Sequence, residues 1–335
     1  MKVSIYCGES GEPWGPESLK GGVGGSEQAV IYLARQFEDV YVYNGIAKSQ
    51  TDLNVQYLPC SSISEEETDA LIVWRTPGQI LKLSHVKAKK KILWLHDLVD
   101  EMELLPFIHH YDLVVLATKF HRSIYPNIPD HKFKIIPLGI DIESISKISL
   151  KKRNPWKICY FSAYDRGLRV LLEDWTKLKL TFPKLELVVG YGWETMDRLA
   201  TDRKAYKFFH GYIESMFNQE GIKHLGRVGQ ERVLSEMACS QLLAYPSIWP
   251  ETFCLVAVQA QAMGAVPVTT PLAALSETVN FGYKRITEPE WYEAMVEALA
   301  HSDDVEFIRS KMILETRNNY SWESIAKEWN SILSV

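Results

Sequence analysis

Trp249-Pro-Glu-Thr-Phe-Cys-Leu-Val-Ala-Val-Gln259 is the stretch from which the fold of this 335-residue chain can be read. Just before it, the strand-like run 242–247 (LLAYPS) enters a loop that delivers Glu251 to the mouth of an apolar helix. A carboxylate there accepts hydrogen bonds from polyol hydroxyls. The N–H groups of Thr252, Phe253, Cys254 and Leu255 at the helix start favour an anion. Gln259 stands two helical turns beyond Glu251, on nearly the same face. Such a pair suits a ligand with a sugar at one end and a ribose at the other. The plainer reading is an N-terminal acid favoured by the helix dipole, followed by a buried glutamine.

Working outward, strand and helix patterns alternate along the whole chain. Runs 2–8, 40–44, 70–74, 91–96, 112–118 and 133–139 read as strands, and 26–37 reads as a helix with its apolar residues on one face. Near-continuous apolar runs such as ALIVW (70–74) and DLVVLAT (112–118) belong to strands covered on both faces, hence to a parallel sheet. The pattern restarts with ICYFSA (158–163) and a helix over 167–181, then strands at 186–192, 224–227, 241–247 and 265–270. Two doubly wound α/β domains are expected, joined by the basic stretch 150–155 as a linker. Residues 202–220 read as a helical insertion, and 320–333 as an amphipathic terminal helix.

Composition narrows the function classes. A hydrophobic content of 46%, a charged content of 24% and a net charge of −5 describe a soluble globular protein without the basic face of a nucleic-acid binder. The five cysteines are scattered and several lie in apolar runs, which predicts reduced thiols; no Cys/His spacing suggests a metal site. Met1 leads straight into a strand and no apolar run would span a bilayer, so a cytoplasmic protein with at most peripheral membrane contact is expected. Lys87–Lys91 reads as a solvated helix end, with contact to anionic lipid as the alternative.

Three further motifs carry chemistry. The long loop GESGEPWGPESLKGGVGG ends in Gly24 and Gly25, where backbone can approach a ligand closely, with Ser26 as the expected N-cap. It lacks both the dinucleotide spacing and a Walker lysine. A dehydrogenase is further disfavoured because the second strand ends in Asn44 rather than an acid. His96-Asp97 ends a strand at the edge where open α/β sheets bind ligands, with a pKa expected near neutrality. Asp97 either orients the ring or caps the next segment of chain. Arg166 stands at the entrance of the 167–181 helix, suited to a diphosphate.

Taken together, these motifs resemble those of the retaining family 4 glycosyltransferases, with the Glu-x7-Glu motif present as Glu251 and Gln259. The similarity extends to the GGVGG loop, to the strand-end His96, and to PLGID (137–141) and PLAALSETV (271–279). The resemblance implies the GT-B fold, two Rossmann-like doubly wound parallel-sheet domains facing across a cleft. Residues 1–145 with the terminal helix 320–335 would form the acceptor-side domain, and 155–319 the nucleotide-sugar domain. It implies a retaining transfer of a hexose from a UDP- or GDP-linked sugar to a hydroxyl of a glycan or glycoconjugate, with no metal or other cofactor. His96, Glu251 and Arg166 would be catalytic. Gly24, Gly25, Gly190, Arg227, Val228, Thr252, Phe253, Cys254, Leu255 and Gln259 would join Arg166 and Glu251 around the donor. Family members often carry a second basic residue where this chain has Phe161, and Arg169, Lys157 and Arg227 are the candidates to replace it. A nucleotide-sugar epimerase and a catalytically silent sugar-nucleotide-binding protein are the alternatives.

Overall fold

A computed structural model of the chain describes residues 1–9, 11–65, 67–148, 153–284 and 288–334. The chain divides into two compact units. Unit 1 holds Met1–Leu19, Val23–Asp141 and Tyr320–Val335; unit 2 holds Lys20–Gly22 and Ile142–Asn319.

In unit 1 the strands are β1 (Lys2–Gly8), β2 (Asp39–Asn44), β3 (Gln50–Asp52), β4 (Val55–Pro59), β5 (Thr68–Trp74), β6 (Ala88–Trp94), β7 (Leu113–Leu116) and β8 (Phe133–Ile135). Among the described residues they form one sheet in the order β3-β4-β2-β1-β5-β6-β7-β8. Every pairing is parallel except β3 with β4. Ile5 lies opposite Val42 on one side and Ile72 on the other, and all three are buried. Side chains covered on both faces explain the unbroken apolar runs.

Unit 2 repeats the plan with β9 (Asn154–Tyr160), β10 (Glu186–Val189), β11 (Ile222–His224), β12 (Ser240–Tyr245), β13 (Val266–Thr269) and β14 (Tyr283–Lys284). Their order is β11-β10-β9-β12-β13-β14, all parallel. Chain order reverses between β9 and β12, and the ends of two such strands splay apart to leave a crevice.

Several expectations need correction. β3 and β4 were not read as strands, because QTD is short and polar and VQYLP alternates over only five residues. Lys87–Lys91 is no helix end: it runs into β6, and Lys89 pairs with Asp69. The first long helix is Gly25–Ala34, capped by Gly24 rather than Ser26. Of the expected linker, 150–152 lies outside the described residues. Arg153 is fixed instead, donating to the carbonyls of Met237, Ser240 and Met263, and Asn154 begins β9.

Candidate active site

The crevice of unit 2 brings Arg166 and Glu251 together. After β9 the chain turns through Tyr164–Arg166 and starts the Leu168–Thr181 helix at Gly167, whose φ of 133° suits glycine. A Cβ at Gly167 would run into the Pro246 carbonyl, so the turn lies directly on the end of β12. Ile248 N–H donates to the Arg166 carbonyl at 3.2 Å, tying the two loops. The result is an ion pair in which Arg166 Nη1 meets both Glu251 oxygens at 3.0 Å, with the guanidinium over the Trp249 ring. Glu251 is buried, its side chain 8% exposed, while that of Arg166 is 35% exposed. No other hydrogen bond of the guanidinium forms among the described residues.

Tyr245 holds the carboxylate from beneath. Its hydroxyl donates to Glu251 Oε1 and lies 3.2 Å from Ser162 Oγ. Burial and then the Glu251 charge push the Tyr245 pKa well above 10, so the hydroxyl stays a donor. For Arg166, burial works against the charge, the carboxylate outweighs it, and the net shift is upward. The Glu251 carbonyl accepts from Ala274 N–H at 3.1 Å, so the 271–279 segment also fixes the loop.

Glu251 and Gln259 do not share one helix. The helix runs Leu255–Met263 and is preceded by Cys254 in the left-handed region, φ 65° and ψ 69°. That residue breaks the helix before Thr252 and Phe253, which belong to the loop. Gln259 is buried within the helix. Burial and then Glu251 raise the Cys254 pKa well above 9, which keeps it a thiol.

Nearby loops come from β10 and β11. Tyr191 N–H donates to the Gly226 carbonyl at 3.0 Å, and Arg227 donates to the Gly22 carbonyl through Nε and Nη2 at 3.1 and 2.8 Å. A Cβ on Gly190 would strike the Phe161 ring, so an apolar side chain fills the place of the missing cation. Two proposed replacements are engaged elsewhere: Lys157 pairs with Glu236 and Arg169 with Glu173.

In unit 1, His96 lies two residues beyond β6 in an aromatic box, its ring 4.4 Å from Trp94 and 5.9 Å from Trp74. Burial, then the charges of Arg75 and His121, lower its pKa well below 6.5. The expectation of a near-neutral pKa is therefore corrected: His96 is a neutral imidazole. The Asp97 carboxylate is taken by Arg75, which binds it with Nε and with Nη2 at 2.8 Å. Arg75 was not singled out from sequence. It follows β5 with φ 65° and also reaches Glu27 at 3.4 Å. Glu27 occupies the first turn of the Gly25–Ala34 helix, and its carboxylate lies where a Cβ on Gly24 would be. The helix start beside Gly24 and Gly25 thus already holds an anion. Burial raises the Glu27 pKa, with Arg75 and its own backbone N–H offsetting part of the shift.

Solved structures with the same architecture are glycosyltransferases. HepE from Anabaena, solved with UDP-glucose, is 17% identical and matches over 100% of both chains at a TM-score of 0.74. Sucrose-phosphate synthase from Thermosynechococcus elongatus is 13% identical, with 99% of this chain and 98% of that one covered at 0.75. α,α-Trehalose 6-phosphate synthase from Burkholderia multivorans is also 13% identical, with 99% and 96% covered at 0.72. At such identities the likeness establishes the fold, which is GT-B. No curated protein matches the chain in sequence. The profile of glycosyl transferases group 1 matches residues 141–313, more than half of the chain, and spans the whole Arg166–Glu251 site. The chain therefore belongs to the glycosyl transferases group 1.

Proposed function

We propose that this glycosyltransferase is a retaining enzyme that moves a hexose from a UDP- or GDP-linked sugar to a hydroxyl of a glycan or glycoconjugate. Unit 2 binds the donor and unit 1 the acceptor. The observation that carries the reading is the Arg166–Glu251 pair at the strand-order reversal of unit 2, beside the start of the Leu255–Met263 helix. Arg166 has donors to spare for a diphosphate, and the helix start adds N–H groups of the same polarity. Glu251, freed from Arg166, accepts hydrogen bonds from sugar hydroxyls, and Gln259 offers its amide oxygen to the ribose. These groups stabilise the charge that grows on the diphosphate as the bond to the sugar anomeric carbon breaks, so the chemistry does not require a metal. The acceptor oxygen bonds that carbon from the same face and passes its proton to the departing diphosphate oxygen. His96, held neutral, serves as a hydrogen-bonding group rather than a cation.

The test is nucleotide release from a panel of UDP-, GDP- and TDP-sugars, with and without EDTA. The expected result is EDTA-resistant release of one nucleotide, lowered about 100-fold by Arg166→Ala. An epimerase would convert donor without releasing nucleotide. A silent protein would bind without turnover. Absence of both binding and release for every nucleotide tested would rule the reading out.

A further inference from the structure

Unit 1 carries a cavity of about 250 Å³ at the carboxyl edge of its sheet, apart from His96 and Arg75. Its walls come from the ends of three strands: Glu9 after β1, Asn44 at the end of β2 with Ile46 beyond it, and Pro59 at the end of β4 with Cys60 and Ser61 after it. The pairing of β1 with β2 slips between Tyr6 and Gly8, so that Gly8 lies opposite Asn44. An irregularity of this kind bends the strand end and opens the edge. Asn44 is fully buried and braced, its Nδ2 donating to the Trp14 carbonyl at 2.8 Å and its Oδ1 accepting from Ile46 N–H at 3.4 Å. The wall is preformed.

We infer that this cavity binds a single unphosphorylated sugar ring of the glycosyl acceptor. The inference rests on the transferase reading above. Size sets one limit, because sites for drug-sized ligands run to about 300–1,000 Å³ and this one is smaller. Chemistry sets the next. Glu9 accepts hydrogen bonds from sugar hydroxyls, Ser61 both donates and accepts, and Ile46 and Pro59 meet the C–H face of a ring. Charge decides against a phosphate. The lining contains one carboxylate and no lysine or arginine. The Cys60 pKa is raised by burial first and Glu9 second, with the N–H groups of Cys60 and Ser61 and then Lys82 offsetting part of the rise. The one charged side chain of the lining is thus negative, and a phosphorylated sugar would be repelled.

Cys60 supplies the readout. Its labelling by a maleimide, followed by peptide mass spectrometry on the full chain, is compared with that of Cys239, which is also partly exposed and serves as the internal control. Neutral hexoses and disaccharides are matched against their 6-phosphates. The neutral sugars are expected to slow Cys60 labelling selectively, and the phosphates to need about tenfold higher concentration. Glu9→Lys should invert that order, and Glu9 is exposed enough for the exchange to leave folding intact. Equal protection by phosphorylated sugars, no selective protection by any sugar, or an order unchanged in Glu9→Lys would each overturn the assignment. Nucleotide release measured in parallel separates the two readings. Protection without turnover keeps a sugar-binding pocket but sinks the transferase and with it the acceptor role; turnover that favours phosphorylated acceptors keeps the transferase and overturns the pocket.

Discussion

Arg166 and Glu251 neutralise each other in the structure, yet each has a different task once donor binds. Glu251→Gln keeps an oxygen for the Tyr245 hydroxyl and removes the charge that holds Arg166. Affinity for a nucleoside diphosphate should therefore hold or rise while turnover falls, as calorimetry and nucleotide release would show. Equal loss of both would mean that the pair is only structural. Stability should respond in the opposite sense. Arg166→Ala strands a buried carboxylate, whereas loss of Glu251 frees a guanidinium that water can reach. Arg166→Ala is thus expected to be the more destabilising by ~1–3 kcal/mol in urea unfolding. A second residue-scale prediction concerns His121, fully buried, its Nε2–H donating to the Asp97 carbonyl at 3.1 Å. Burial lowers its pKa from 6.5 to about 4. The unfolded chain takes up its proton first, so stability is fully present above pH 6.5 and is lost as pH falls toward 4. The loss amounts to at most ~3 kcal/mol. His121→Gln should flatten the stability profile between those limits; an unchanged slope would place the acid sensitivity elsewhere, His96 being the next candidate.

Short turns at strand ends decide whether the elements deliver these residues. Gly167 is the clearest case, because its positive φ and the Pro246 carbonyl leave no room for a Cβ. Gly167→Ala should cost ~1–3 kcal/mol and weaken nucleotide binding, since the tie from Ile248 to the Arg166 carbonyl lies across the same turn. Gly211, inside the Arg203–Met216 helix with open space around it, is the control. There alanine should stabilise by about 0.5–1 kcal/mol. Similar thermal shifts for both would refute the steric account. The same contrast shows what could be read from sequence. Apolar runs announced buried parallel strands such as β5 and β7 because both faces of each are covered. The strand-end positions of Arg166, Glu251 and His96 followed from where those runs stop. The left-handed turn at Cys254 left no signal, since a non-glycine residue in that conformation is held by its surroundings. For the same reason the helix was expected to begin early and Arg75 went unnoticed. The Glu27 carboxylate at the Gly24–Gly25 helix start was also hidden: glutamate in a first turn is ordinary, and only its packing beside Arg75 shows what it occupies.

At the scale of the whole molecule, unit 1 is built from both ends of the chain. The Trp322–Leu333 helix is capped by Ser321, whose hydroxyl accepts from Ser324 N–H at 3.1 Å, and Ile140 N–H donates to the Tyr320 carbonyl at 2.7 Å. Trp322 packs so closely over Gly139 that a Cβ there would fall on its ring. Trp329 is fully buried with its ring 5.1 Å from Trp94, whose ring in turn lies 4.4 Å from that of His96 at a tilt of 59°. Unit 1 therefore completes its core only after unit 2 has been made, a topology of high sequence separation that favours slow closure. Trp329→Ala should cost ~3–5 kcal/mol, a large share of the ~5–15 kcal/mol that holds a typical domain. Hydrogen exchange read by mass spectrometry should show the loss in peptides over 88–116, while 154–284 keep their protection. The neutral state of His96 depends on the same packing, so its imidazole resonance should titrate nearer 6.5 in the variant. Protection lost from both units together would mean that they unfold as one cooperative block, and that the terminal helix stabilises the molecule rather than the His96 side of it.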